Sequence, residues 1–200
     1  MIHIHPHNSE PLFDIYLCSF GRSSLPFAID SIEQQSIPVD TKLFAYEELC
    51  DIQNYACKNC KKPFFLRMDE DMFLHPKAVE FISHRCKEIV KATPIVPMIP
   101  FMVYDIDSRK PIQSIKLYKT AMASNHEFYD DGDWGLDINF IKFLNEKFLA
   151  WKMEDSVLAV HASIPKEERD KYITNMFNRY PDLRNIKMWP QLDSPCSLEY

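Results

Sequence analysis

The sequence predicts a single α/β domain with a mostly parallel central sheet, helices on its faces, and an antiparallel hairpin in the second half. Three observations carry this. Short apolar runs alternate with amphipathic stretches through the first half of the chain. Turn-forming residues separate them. Past Ile95 two apolar runs face each other across a polar turn.

Leu12–Ser19 (LFDIYLCS) is the first strand, ending at Phe20-Gly21-Arg22. Ser23 and Ser24 can cap the next helix, Pro26 sits in its first turn, and Leu25, Ala28, Ile29 and Ile32 share one face. Val39–Tyr46 is the second strand, and Glu47–Cys60 a short helix. Phe64-Phe65-Leu66 begins the third strand, which runs into Arg67-Met68-Asp69-Glu70-Asp71. Pro76 opens a helix with Val79, Ile82, Cys86, Ile89 and Val90 in phase. Three strand–helix units in succession predict a parallel, right-handed core.

Ile95–Tyr104 and Ile112–Met122 flank Asp105–Pro111 as the hairpin. A polar loop over 123–133 precedes an amphipathic helix marked by Leu136, Phe140, Leu144 and Phe148. Ser156–Val160 is a short strand ending at His161. Ser163, Pro165, Glu167 and Glu168 announce a last helix through Tyr180. Residues 1–181 thus form the domain and 182–200 a docked tail.

Composition narrows the function. With 200 residues the chain can bury a core without disulfide or metal staples. Asp and Glu number 29 against 23 Lys and Arg, a net charge of −6, so general nucleic-acid binding is not expected. There are only 3 glycines: Gly21, Gly132 and Gly135. Neither a P-loop nor a dinucleotide fingerprint can be built from them. A nucleotide held by this chain is held without a glycine cradle, most simply through a carboxylate-bound metal.

The opening residues lack a basic segment followed by an apolar core, so no signal peptide is read. The longest apolar run, Ile95–Tyr104, is interrupted by Pro97 and Pro100 and too short to span a bilayer. The expectation is a cytoplasmic protein, or one peripheral to a membrane, whose 6 cysteines are thiols. Cys57 and Cys60 form a CxxC that could draw His84 and Cys86 into a zinc site, although no second CxxC exists. His3, His5 and His7 alternate as on one face of a strand.

Asp69 and Asp71 stand at i, i+2 directly after an apolar strand. In a parallel α/β sheet, ligands bind beyond the carboxyl ends of the strands. A hard divalent cation takes one or two such carboxylates together with substrate phosphates. Acids before a helix also serve simply as caps.

Phe64–Pro76 (FFLRMDEDMFLHP) resembles the DxD segment of GT-A-fold glycosyltransferases, the family 2-like enzymes in particular. Ser19–Pro38 is similar to that family's opening strand, Asn-Arg-like turn and helix exit. Asn54–Asn59 is similar to its Ala-Arg-Asn segment, and the order of the three agrees. The resemblance covers residues 11 to 163. It implies a GT-A-like domain that binds a nucleotide-sugar donor over the strand ends. Asp69 and Asp71 would hold Mn2+ or Mg2+ against the diphosphate, with Arg22, Lys58 and Asn59 contacting the donor. Where the family places an acid against the base, this chain has Phe44-Ala-Tyr-Glu-Glu-Leu49, so Glu47, or alternatively Glu48, is the expected substitute.

The resemblance also places a general base in Asp130–Leu136. Asp133, before Trp134, matches best and Asp131 is the alternative; either could instead cap the helix. His161 resembles a late metal ligand, and its imidazole would favour manganese. The implied function is metal-dependent, inverting transfer of a sugar from a nucleotide diphosphate to a hydroxyl on a glycan, lipid-linked or protein acceptor. The alternatives are a nucleotidyltransferase-like enzyme, or a catalytically degenerate binding module.

Overall fold

The structure, a computed structural model, describes residues 10–92, 96–129, 136–147 and 154–162. Its elements in order are β1 (Phe13–Ser19), α1 (Leu25–Glu33), β2 (Thr41–Ala45), α2 (Leu49–Asn59), β3 (Phe64–Asp69), β4 (Met72–Leu74) and α3 (Ala78–Ala92). There follow β5 (Met98–Asp105), β6 (Lys110–Lys119), α4 (Thr120–Ala123), α5 (Leu136–Glu146) and β7 (Glu154–His161). The strands form one 7-stranded sheet in the order β2-β1-β3-β6-β5-β7-β4.

Period-2 alternation assigns the strand residues to two cores. Phe13, Ile15 and Leu17 of β1, with Phe64, Leu66 and Met68 of β3, face α1 and α3. Tyr16 and Phe65 face the other way, with Ala56 and Cys57 of α2, Cys60 just after it, and Phe140 and Leu144 of α5. Both faces of β1 and β3 are covered, so these strands read as continuous apolar runs.

The pairing directions decide where a site can form. β1 runs parallel to β2 and β3. β6 is antiparallel to β3, and β5 is antiparallel to β6, so β5 runs with β3. β7 is parallel to β5, and β4 antiparallel to β7. The carboxyl ends of β1, β2, β3, β5 and β7 therefore share one edge. At the opposite, amino edge, Lys62 Nζ lies 3.1 Å from carboxylate oxygens of Glu10, Asp14 and Asp40.

The sheet is curled. Asp69 ends the third strand in spatial order, and Met72 begins the seventh. Three residues of extended chain reach about 10 Å. Crossing four strand spacings in a flat sheet would need about 19 Å. The sheet curls over α1: the Leu74 N–H donates to Ser31 Oγ at 3.1 Å, and Phe27 meets Phe73 edge-on at 6.3 Å.

The hairpin appears as β5 and β6, and the late strand as β7. β4 and α4 were not expected; with 3 and 4 residues they are too short to show a period. Cys57 and Cys60 lie in one core and Cys86 in the other, so the sheet separates the CxxC from its supposed zinc partner. Burial pushes the Cys57 thiol up to about 12. The five described cysteines are free thiols. The last helix, the tail at 182–200, His3, His5 and His7 lie outside the described residues.

Candidate active site at the strand exits

The β1–α1 turn is held by a carboxylate of the acidic cluster. Glu70 is 1% exposed. Its Oε2 accepts hydrogen bonds from Ser19 Oγ at 2.5 Å and the Arg22 N–H at 3.0 Å, and its Oε1 accepts from the Phe20 N–H at 2.8 Å. The middle acid of the cluster is thus a clamp on the first exit loop. Gly21 adopts φ +76°, and a Cβ there would fall 2.0 Å from the Tyr46 hydroxyl, so the turn requires glycine. Tyr46 itself has φ +62° and is 76% exposed at the exit of β2.

Next to it runs a chain of alternating charges. The Arg22 guanidinium contacts Asp71 Oδ2. His161 Nε2 lies 3.5 Å from the same oxygen, and His161 Nδ1 lies 2.8 Å from Asp105 Oδ1. The register explains the meeting: His161 pairs with Asp105 across β5–β7 and with Met72 across β4–β7. The Ala162 N–H donates to the Asp71 carbonyl at 2.9 Å, closing the corner.

Burial works against the charge on Asp71. The hydrogen bond and charge of His161, with Arg22, overcome it and hold the carboxyl below its usual range. The hydrogen bond to Asp71 raises the His161 imidazole, burial opposes this, and Asp105 adds to the rise, giving about 9. Asp105 is likewise held low: burial is outweighed by hydrogen bonds from Ser108 and His161.

Asp69 differs from its neighbours. Its Oδ1 is buried and has no hydrogen-bond partner among the described residues. Such an orphaned carboxylate oxygen is costly unless a cation or water reaches it. A hard divalent cation is one group that would satisfy such an oxygen. Among the described residues, no set of three or more His, Cys, Asp or Glu side chains is already gathered for a metal. In this arrangement Asp71 is occupied by Arg22 and His161.

Arg22, Asp69, Asp71 and His161 are therefore brought to one edge, and exposed Glu47 follows β2 at the same edge. Lys58 and Asn59 are not. A crossover helix runs back against its strands, so the end of α2 falls at the amino edge, where the Asn59 amide donates to the Tyr55 carbonyl at 2.9 Å. Asp131 and Asp133 lie outside the described residues. Sequence reasoning missed Glu70 and Asp105. The signal for Asp105 was available, an acid at the end of an apolar strand as at Asp69, but the hairpin turn absorbed it. No helix among the described residues is long and apolar enough to cross a membrane.

No protein-family model and no curated protein matches the sequence. Solved structures do match in fold. A mannosyltransferase from Pyrobaculum calidifontis, solved with GDP-Man and Mn2+, superposes with a TM-score of 0.58 at 11% identity, over 82% of this chain and 60% of that one. S. aureus TarS, residues 1–349 with UDP-GlcNAc, gives 0.55 at 13% identity over 79% and 60%. A cytidylyltransferase from Leptospira borgpetersenii gives 0.56 at 7% identity over 94% and 100%. The chain has the GT-A-like α/β fold, and its likeness to these glycosyltransferases is one of fold. The same architecture serves nucleotidyltransferases.

Proposed function

We propose that this protein is a metal-dependent glycosyltransferase that moves a sugar from a nucleotide-diphosphate donor to an acceptor hydroxyl with inversion. The observation that carries the reading is the meeting of Asp71 and His161, from distant parts of the chain, beside Arg22, with the orphaned oxygen of Asp69 two residues earlier in sequence. The fold neighbours solved with GDP-Man and UDP-GlcNAc support the donor class.

The donor lies over the strand exits. Tyr46 and the exposed Phe20 offer flat surface to its base, and Glu47 offers an acceptor of base N–H groups. Arg22, half exposed, is free to turn from Asp71 toward the diphosphate. Asp69, Asp71 and His161 would hold Mn2+ or Mg2+, which when bound offsets the charge that develops on the departing diphosphate. Asp133, or failing it Asp131, takes the proton of the attacking hydroxyl as that oxygen closes on the anomeric carbon. The acceptor hydroxyl belongs to a glycan, a lipid-linked sugar or a protein. The free thiols favour the reducing cytoplasm, with the enzyme working free or at a membrane surface.

Release of nucleoside diphosphate from a panel of nucleotide sugars with Mn2+ tests this. Asp133→Asn should cut turnover about 10²–10⁴-fold and spare donor affinity. Unchanged turnover would move the base to Asp131 or out of the loop. One observation favours a nucleotidyltransferase instead: the cytidylyltransferase is matched over its whole length. Release of pyrophosphate from a nucleoside triphosphate, with no release of diphosphate from nucleotide sugars, would select that reading.

A further inference from the structure

We infer that Asp105 is a positioning residue for the metal site: it accepts the Nδ1–H of His161 and so leaves the lone pair of the opposite ring nitrogen, Nε2, for the divalent ion that Asp71 would also hold. The inference rests on the glycosyltransferase reading only in that a cation binds at the strand exits.

The geometry divides the labour between the two carboxylates that flank the imidazole. Asp105 Oδ1 lies 2.8 Å from His161 Nδ1, and its Oδ2 accepts the Ser108 N–H at 2.9 Å. Both oxygens are engaged and the residue is 8% exposed, so Asp105 is not placed to ligate an ion itself. On the far side of the ring, Nε2 faces Asp71 Oδ2 at 3.5 Å. The orientation is locked by the backbone as well: the Ile106 N–H donates to the His161 carbonyl at 3.1 Å, and Asp105 and His161 are register partners.

A ligating imidazole must offer a lone pair, and the hydrogen bond at its other nitrogen decides which lone pair that is. A carboxylate there fixes the tautomer and strengthens the ligand, and its loss typically costs about 10–100-fold in metal affinity or activity. The Ser108 bond in turn holds the carboxylate, so the hairpin turn between β5 and β6 is the outer support of the site.

Mn2+ affinity of the intact protein, measured by electron paramagnetic resonance with UDP or GDP present, provides the first readout. Asp105→Asn should weaken Mn2+ about 10–100-fold, and Asp105→Glu should restore part of the loss. Mg2+ affinity should fall less, because the nitrogen ligand matters less to the harder ion. The second readout is the nitrogen-15 shifts of His161 in the Mg2+- and nucleotide-loaded parent, which should show the proton on Nδ1. A proton on Nε2 there overturns the inference even if the variants do not fold. So does a folded Asp105→Asn protein that keeps parental Mn2+ affinity while His161→Ala loses it. If Asp71→Ala and His161→Ala both leave Mn2+ binding unchanged, the metal site itself is wrong, and Asp105 falls with it.

Discussion

A carboxylate at a strand exit can serve a ligand or serve the backbone, and within the acidic cluster Glu70 does the second while the proposed reading gives Asp69 and Asp71 the first. Asp69 and Asp71 face the edge; Glu70 turns inward and ties down the β1–α1 turn. In sequence the three acids are equivalent. The apolar strand before them announces the edge, but not which acid folds back, because that depends on the N–H groups of a loop some fifty residues upstream. Glu70→Ala should strand two of those N–H groups and cost about 3 kcal/mol or more, read by urea denaturation. His161 predicts a pH dependence. Its pKa rises from 6.5 to about 9 on folding. The stabilisation from its pairing with Asp71 and Asp105 is fully present below pH 6.5 and lost as pH climbs through about 9. Thermal melts of the metal-free protein should show this loss, and His161→Gln should flatten the curve. The buried Cys18 and Cys57 thiols, pushed to about 12, do not titrate in that window.

Elements carry the site through their ends. The parallel units and the hairpin were legible because each strand and helix has a period and a breaker. β4 was not, since three residues show no period. Nor was the true position of Lys58 and Asn59, because nearness in sequence to the acidic cluster conceals the length of a helix and a return strand. α2 contributes at its middle instead. The Asn54 amide donates to the Phe128 carbonyl at 2.8 Å, and its Oδ1 accepts the Phe128 N–H at 2.9 Å. This two-way bond pins the stretch leading into residues 130–135, where Asp131 and Asp133 stand. Asn54→Ala should cost about 1–3 kcal/mol and speed hydrogen exchange at Phe128. Slow exchange at Phe128 in a destabilised variant would assign the cost of the substitution elsewhere in α2.

At the scale of the molecule, the curl makes one site from an edge that a flat sheet would spread out. The common direction of β1, β2, β3, β5 and β7 could be inferred only in part from the sequence. Periodicity locates strands; it does not state their spatial order or the folding-over of β4. The proposed donor site has a thermodynamic signature at this scale. UDP or GDP should raise the melting temperature only when Mn2+ or Mg2+ is present, since Arg22 is already paired with Asp71 and the carboxylates of this corner repel a bare diphosphate. At a hundred times the dissociation constant the stabilisation is about 2.7 kcal/mol. That corresponds to several degrees in a domain of this size. Equal stabilisation in excess chelator would remove the metal from the donor site.

Met72–Leu74 follows β3 almost at once, yet its partner is β7, which is made only after α3, the hairpin and α5. At about 5–20 residues per second, a growing chain waits roughly five to twenty seconds between the two. Until then the acidic turn lacks His161, and Asp105, made earlier with the hairpin, has no imidazole to hold. The nascent chain can close its first three parallel strands early, but the corner where His161 meets Asp71 is completed last, together with the sheet.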